Sequence, residues 1–160
     1  MEIRPVREQE LPKAMDLCWR VFQEFEAPSY PPEGTEAFQS YLTNAEKRNH
    51  LTVYGAWKGE ALLGVLAAEE EQIALLFVEP AVHRRGIGRL LFQAFLRESG
   101  LRQVSVHSSP YAVEAYRCLG FLPTAEEQHS PDGIRYTPMV WRKSESETPE
   151  QTGEGEERGL

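Results

Sequence analysis

Residues 72–108 limit the fold of this chain most strongly, because the hydrophobic period there changes from strand to helix and back. Gln72–Val78 is a short apolar run of strand length. From Ile87 onward, Leu90, Leu91, Ala94 and Phe95 recur at three- and four-residue spacing, with Arg89, Gln93 and Arg97 on the opposite face. That is an amphipathic helix, and Gly100 is its natural C-cap. Gln103–Ser108 returns to a strand pattern. A helix joining two strands carries the chain back along the sheet, so Gln72–Val78 and Gln103–Ser108 are expected to run parallel.

Upstream the pattern is different. Glu2–Val6 is a strand candidate, and Leu11, Ala14, Cys18, Val21, Phe22 and Phe25 mark one face of a helix. Pro12 is tolerated only in a first turn, which places the helix start near Glu10. Pro28–Pro32 ends this pattern, and a second short helix carries Ala37, Phe38, Tyr41 and Leu42. Leu51–Trp57 and Ala61–Ala68 flank the turn signal Lys58-Gly59-Glu60, and Glu69-Glu70-Glu71 turns the chain into Gln72–Val78. These three runs make an antiparallel meander. Downstream, Tyr111–Leu119 reads as a helix ended by Gly120, and Ile134–Arg142 as a closing strand after Pro131-Asp132-Gly133. The fold class is α+β, a mixed sheet with helices packed on it.

At 160 residues the chain is expected to form one domain. Its folded part is expected over residues 1–143. Residues 144–160 hold six glutamates, one arginine and almost nothing apolar, which reads as an acidic disordered tail. The net charge is -8, and the body without the tail remains weakly acidic, which argues against nucleic-acid binding. No stretch approaches the roughly 20 apolar residues of a membrane span, and no apolar leader follows Met1, so a cytoplasmic location is expected. Cys18 and Cys118 have no metal-ligand spacing and read as reduced, small core residues; no metal is expected.

The junction between Val78 and the helix carries the chemistry. A helix N-terminus presents unpaired N–H groups and a positive dipole end to an anion. Gly86 and Gly88 lack a Cβ, so a phosphate can approach those amides closely. Arg84, Arg85 and Arg89 concentrate positive charge there in a chain of negative net charge. A solvated helix end would show the same charges. The P-loop pattern fails because Gly88 is followed by Arg89-Leu90 rather than Lys-Ser/Thr. The dinucleotide fingerprint fails because its third glycine is missing and antiparallel strands precede the loop.

His83-Arg84-Arg85-Gly86-Ile87-Gly88 resembles the acetyl-CoA pyrophosphate loop of the GNAT N-acetyltransferases, written Gln/Arg-x-x-Gly-x-Gly/Ala. Leu76-Phe77-Val78-Glu79-Pro80 is similar to that family's lead-in. Ala112 to Phe121 resembles its second block, Ala-x-x-x-Tyr-x-x-x-Gly-Phe, about 30 residues downstream. His83 departs from the usual Gln or Arg, and Ser109 stands where the family often has Asn. The resemblance implies a single GNAT-like domain. Its mixed, mostly antiparallel sheet would have six to seven strands, a splayed parallel pair in the middle and helices on both faces.

By resemblance, Phe77 and Val78 would lend backbone groups to the pantetheine arm. His83, Arg84, Arg85, Gly86, Ile87, Gly88 and Arg89 would hold the pyrophosphate, and Ser109 and Ala112 would contribute to the cofactor site. Tyr116 matches the general acid that protonates the leaving thiolate, although a tyrosine facing a sheet is also ordinary core. Two bases are candidates: Glu71, otherwise a solvated turn residue, and His107, otherwise a strand histidine whose side-chain type titrates near neutrality. Glu24 and Glu26, at the end of the first helix, would attract a cationic acceptor. The implied activity is direct acetyl transfer from acetyl-CoA to a primary amine of an unidentified small molecule or protein. The alternative is a non-catalytic acyl-CoA-binding regulatory module on the same fold. A larger acyl donor would need more room near Leu76. Many relatives dimerise, so a homodimer is among the implied assemblies.

Overall fold

The computed structural model describes residues 1–144, so the expected acidic tail lies, from Glu145 on, outside the described residues. Strand β1 (Glu2–Pro5) pairs antiparallel with β2 (Thr52–Lys58), which continues through β3 (Ala61–Glu69) into β4 (Gln72–Val78). After the helical crossover, β5 (Gln103–Ser108) lies parallel to β4. The chain then forms β6 (Leu122–Pro123), β7 (Gln128–His129) and β8 (Arg135–Arg142). The sheet order is β1-β2-β3-β4-β5-β8-β6, with β7 on β8, giving eight strands among the described residues. Six to seven were expected; the short additions β6 and β7 are two-residue ladders, too brief to leave a period in the sequence.

Five α-helices accompany the sheet among the described residues: α1 (Leu11–Phe25), α2 (Pro32–Thr43), α3 (Ala45–Arg48), α4 (Ile87–Ser99) and α5 (Val113–Cys118). Pro12 sits in the first turn of α1, as its missing N–H requires. The single turn α3 had no periodicity to reveal it; it forms because the Asn44 side chain caps Lys47 N–H at 3.0 Å. The helix expected over Tyr111–Leu119 is divided into a 3-10 turn, Pro110–Ala112, and α5.

The strands β3 and β4 read as nearly continuous apolar runs because helices cover both faces of the sheet. Val65, Ala67, Leu75 and Phe77 pack under α1 and α2, with Phe22 at the centre of that layer. Leu66, Ala68 and Ile73 pack under α4 and α5, where Phe121 is fully buried. Cys18 is buried in the first layer as expected. Cys118 is exposed, which corrects its assignment to the core: α5 turns Tyr116 inward and leaves Cys118 on its outer side.

Gly64 fixes how closely α4 approaches the sheet. A methyl group there would lie 3.0 Å from Ile87 Cγ2 and 3.2 Å from Leu91 Cδ1, both in the first turns of α4. Gly64→Ala is expected to destabilise the chain by about 1–3 kcal/mol, through overpacking against these side chains. Urea denaturation would show this as a lower midpoint at unchanged slope.

Candidate active site

The sheet opens between its only parallel pair among the described residues. β4 and β5 are in register at just Gln72↔Ser105 and Ile73↔Val106, with Ser105 N–H donating to Glu71 O at 2.9 Å. Each strand is held by its other neighbour, β4 by β3 as far as Val78 and β5 by β8 along its whole length. Beyond Ile73 the two strands therefore follow different partners and separate. Glu79 N–H donates to Leu63 O at 2.8 Å on the β3 side. The two-residue period of a strand then turns the Phe77 backbone to β3 as well, and the groups of Leu76 and Val78 to the gap. Of the expected pair, Val78 faces the gap and Phe77 faces Val65 of β3, with its side chain under α2. Leu76 takes the second place. The β3 register decides this, and the sequence does not contain it.

At the open end of the gap, the loop after β4 is built for tight approach. Gly86 caps α4 at φ 80°, and Arg84 also has positive φ, at 66°. A left-handed conformation in a non-glycine residue costs roughly 1–2 kcal/mol, so the surrounding loop imposes it on Arg84. No side chain caps α4, and its first amides, Ile87, Gly88 and Arg89, have no intrahelical acceptor. Gly88 is buried, whereas Arg84 and Arg85 are exposed around this positive end. Arg89 reaches across to Cys118 O at 3.3 Å, linking α4 to α5. His83 is turned the other way. Its Nε2 lies 2.7 Å from Val78 O, and its ring packs 5.4 Å from Phe25.

The gap continues inward as a cavity of about 320 Å³. Ala74–Phe77 form one side, and Val106, His107, Ser109, Ala112 and Tyr116 form the other. The end of α1 roofs it. Arg20 holds α1 over the strand end through Glu79, with contacts of 3.1 and 3.4 Å. Tyr116 is only 6% exposed, and its ring meets Phe121 edge-on at 5.3 Å. Burial, followed by the Glu26 carboxylate, pushes the Tyr116 phenol above its ordinary range. Glu26 lines the same cavity. Burial raises its carboxyl to about 7, while a hydrogen bond with Ser109 pulls the other way. Ser109 also caps the turn into α5, accepting from Ala112 N–H at 3.3 Å.

The other candidates are spread out. Glu24 is exposed and does not line the cavity. Glu71 is exposed on the β3–β4 turn and lines a different cleft, with Tyr41 and Lys47. His107 is an exposed wall residue, stacked on Tyr136 at 4.4 Å. Of the expected carboxylates, Glu26 is thus the one that shares the cavity with Tyr116. Helical spacing does not separate the two glutamates: Glu26 follows buried Phe22 by four residues, and Glu24 follows buried Val21 by three.

Residues 26–143 match the family model described as "Acetyltransferase (GNAT) domain". The fold is also similar to solved structures of low identity. A GCN5-related N-acetyltransferase structure from Rhodopseudomonas palustris superposes with a TM-score of 0.75 at 18% identity, covering 88% of this chain and 94% of that one. PaiA N-acetyltransferase from Thermoplasma acidophilum, solved with coenzyme A, gives 0.66 at 17% identity, covering 88% and 98%. An aminoglycoside 6'-N-acetyltransferase, also complexed with coenzyme A, gives 0.62 at 13% identity, covering 92% and 100%. With the family model spanning most of the chain, and the splayed strands and loop in the places it requires, this protein belongs to the GNAT acetyltransferase family.

Proposed function

We propose that this chain transfers an acetyl group from acetyl-CoA directly to a primary amine. One observation carries the reading: the unpaired β4 edge runs from an anion-ready helix end to a cavity holding both Tyr116 and Glu26. The residues present fit the cofactor. Leu76 and the Val78 N–H face the gap and suit an amide-bearing arm, the Val78 carbonyl being engaged by His83, and the first turn of α4 with Arg84, Arg85 and Arg89 suits a pyrophosphate. Two structural neighbours were solved with coenzyme A, which supports the same ligand here.

Bound acetyl-CoA would supply an activated thioester. Glu26, as carboxylate, takes the proton that an ammonium must lose before its nitrogen can attack. The carbon–nitrogen bond then forms as the carbon–sulfur bond breaks. Tyr116 gives its phenolic proton to the departing sulfur, a role that its raised pKa preserves at neutral pH, and the second proton shed by the acylated nitrogen restores the phenol. Positioning by the rigid gap supplies much of the acceleration. Cys18 and Cys118 do not line the cavity, which supports transfer without an acyl-enzyme.

Calorimetric titration with acetyl-CoA tests the cofactor reading. Saturable binding is expected, weakened at least tenfold, about 1.4 kcal/mol or more, by the double substitution Arg84→Glu, Arg85→Glu. A folded sample that does not bind millimolar acetyl-CoA would overturn the proposal.

A further inference from the structure

The acceptor side of the cavity has a chemistry of its own, whose meaning for the substrate rests on the acetyl-transfer proposal. Under α1 and α2 the walls are aromatic: Phe22, Tyr30 and Phe38, faced by Ile134 and Tyr136 from the start of β8 and the turn before it. These rings are held in place. Phe22 stacks on Phe38 at 4.1 Å and an 18° angle, and it meets Tyr30 at 5.7 Å. Tyr136 stacks on His107 and its hydroxyl donates to Gln128 at 3.2 Å. The apolar walls are thus pre-formed, which lowers the ordering cost of binding a flat ligand.

The charges divide unequally. Glu26 and Asp132 both line the cavity, Glu26 half-buried and Asp132 exposed to solvent. The cation lining the cavity is Arg135, and it is already engaged. Its Nη2 donates to Ser29 O at 3.3 Å, and its Nη1 lies 3.7 Å from Glu127 Oε2. A ligand ammonium would find Glu26, whereas a ligand carboxylate beside that ammonium would meet Glu26 and, among the described lining residues, no unengaged lysine or arginine. The volume of about 320 Å³ is at the small end of ligand pockets.

We infer that the acceptor is a small arylalkylamine without a carboxylate, its ammonium at Glu26 and its ring against Tyr30, Phe38 and Tyr136. A polyamine's second cation would find only the solvent-exposed Asp132, and a polyhydroxylated aminosugar would set hydroxyls against the apolar faces of Phe22, Phe38 and Ile134. An α-amino acid would bring its carboxylate next to Glu26.

The test is a steady-state assay of thiol release from acetyl-CoA, run with 2-phenylethylamine, L-phenylalanine, putrescine and kanamycin. For 2-phenylethylamine, kcat/KM is expected to exceed that for each of the other three by at least tenfold. Phe38→Ala and, separately, Tyr136→Leu are expected to raise the KM for 2-phenylethylamine about tenfold, with acetyl-CoA affinity retained as proof of an intact fold. Equal or better turnover of L-phenylalanine, putrescine or kanamycin would overturn the inference. So would failure to acetylate any of the four by a protein that binds acetyl-CoA, a result that leaves the cofactor site standing. Loss of acetyl-CoA binding itself would remove the acetyl-transfer reading first.

Discussion

Tyr116→Phe is expected to lower kcat for acetyl transfer by about 10²–10⁴-fold while leaving acetyl-CoA affinity within about twofold. The substitution removes one hydroxyl and keeps the ring that packs edge-on against Phe121 in the α5 layer. The fold should therefore be unaffected, and a thermal melt would confirm it. The rate effect is expected to be large because, in the proposed transfer, the hydroxyl gives its proton to the developing negative charge on sulfur. Burial and the nearby Glu26 carboxylate both disfavour phenolate, so the proton is present across the neutral range. Isothermal titration and single-turnover rates separate the two readings. Retained binding with lost turnover identifies Tyr116 as the acid. Binding without turnover in the unmutated protein, across a wide amine panel, would instead favour an acyl-CoA-binding module.

How much of each feature is legible in the sequence depends on the physics that forms it. The strand β4, the helix α4 and the strand β5 are legible because each repeats a period over many residues. The loop is legible because Gly86 and Gly88 meet three arginines at a helix start, and its ligand is expected only by resemblance. The short ladders β6 and β7 and the turn α3 are not, since their stability comes from β8 and from the Asn44 cap rather than from any repeat. The splay of β4 from β5 is expected only by resemblance. Its cause is non-local: hydrogen bonding by β3 and β8 draws the two strands apart. The proton acceptor is legible in part. Analogy of position points to Glu71, side-chain type points to His107, and the end of α1 offers Glu24 and Glu26 only as attracting charges. The distinction of Glu26 comes from tertiary burial beside Ser109 and Tyr116, which local sequence does not encode.

Glu26 makes two demands that pull in opposite directions, and both can be measured. As the proton acceptor it must be ionised, and burial raises its carboxyl to about 7. In the free enzyme, kcat/KM should therefore fall about tenfold per unit as pH drops below about 7. Glu26→Gln should lower kcat/KM by about 10²–10⁴-fold at pH 8 and flatten this acidic limb. His107→Gln should leave the limb in place. The charged and titratable residues lining the same cavity are Tyr116 on α5, Tyr30 after α1, His107 on β5, Arg135 and Tyr136 on β8, and Asp132 before it. Tyr116 and Tyr30 stay protonated near pH 7, because burial and Glu26 raise them. The stability effect has the reverse sign. The folded state holds the Glu26 proton up to about 7, whereas a carboxyl in the unfolded chain releases it near 4.5. Stability should thus fall as pH rises through that window. Above it, Glu26→Gln should be more stable than the unmutated chain by about 1–2 kcal/mol, a rise in Tm of several degrees. The difference should vanish near the lower end of the window. A variant that is slower and yet more stable at pH 8 is the signature of a carboxylate kept for chemistry at a cost to the fold. Equal Tm values at pH 8, with an unchanged acidic limb, would remove Glu26 from the mechanism.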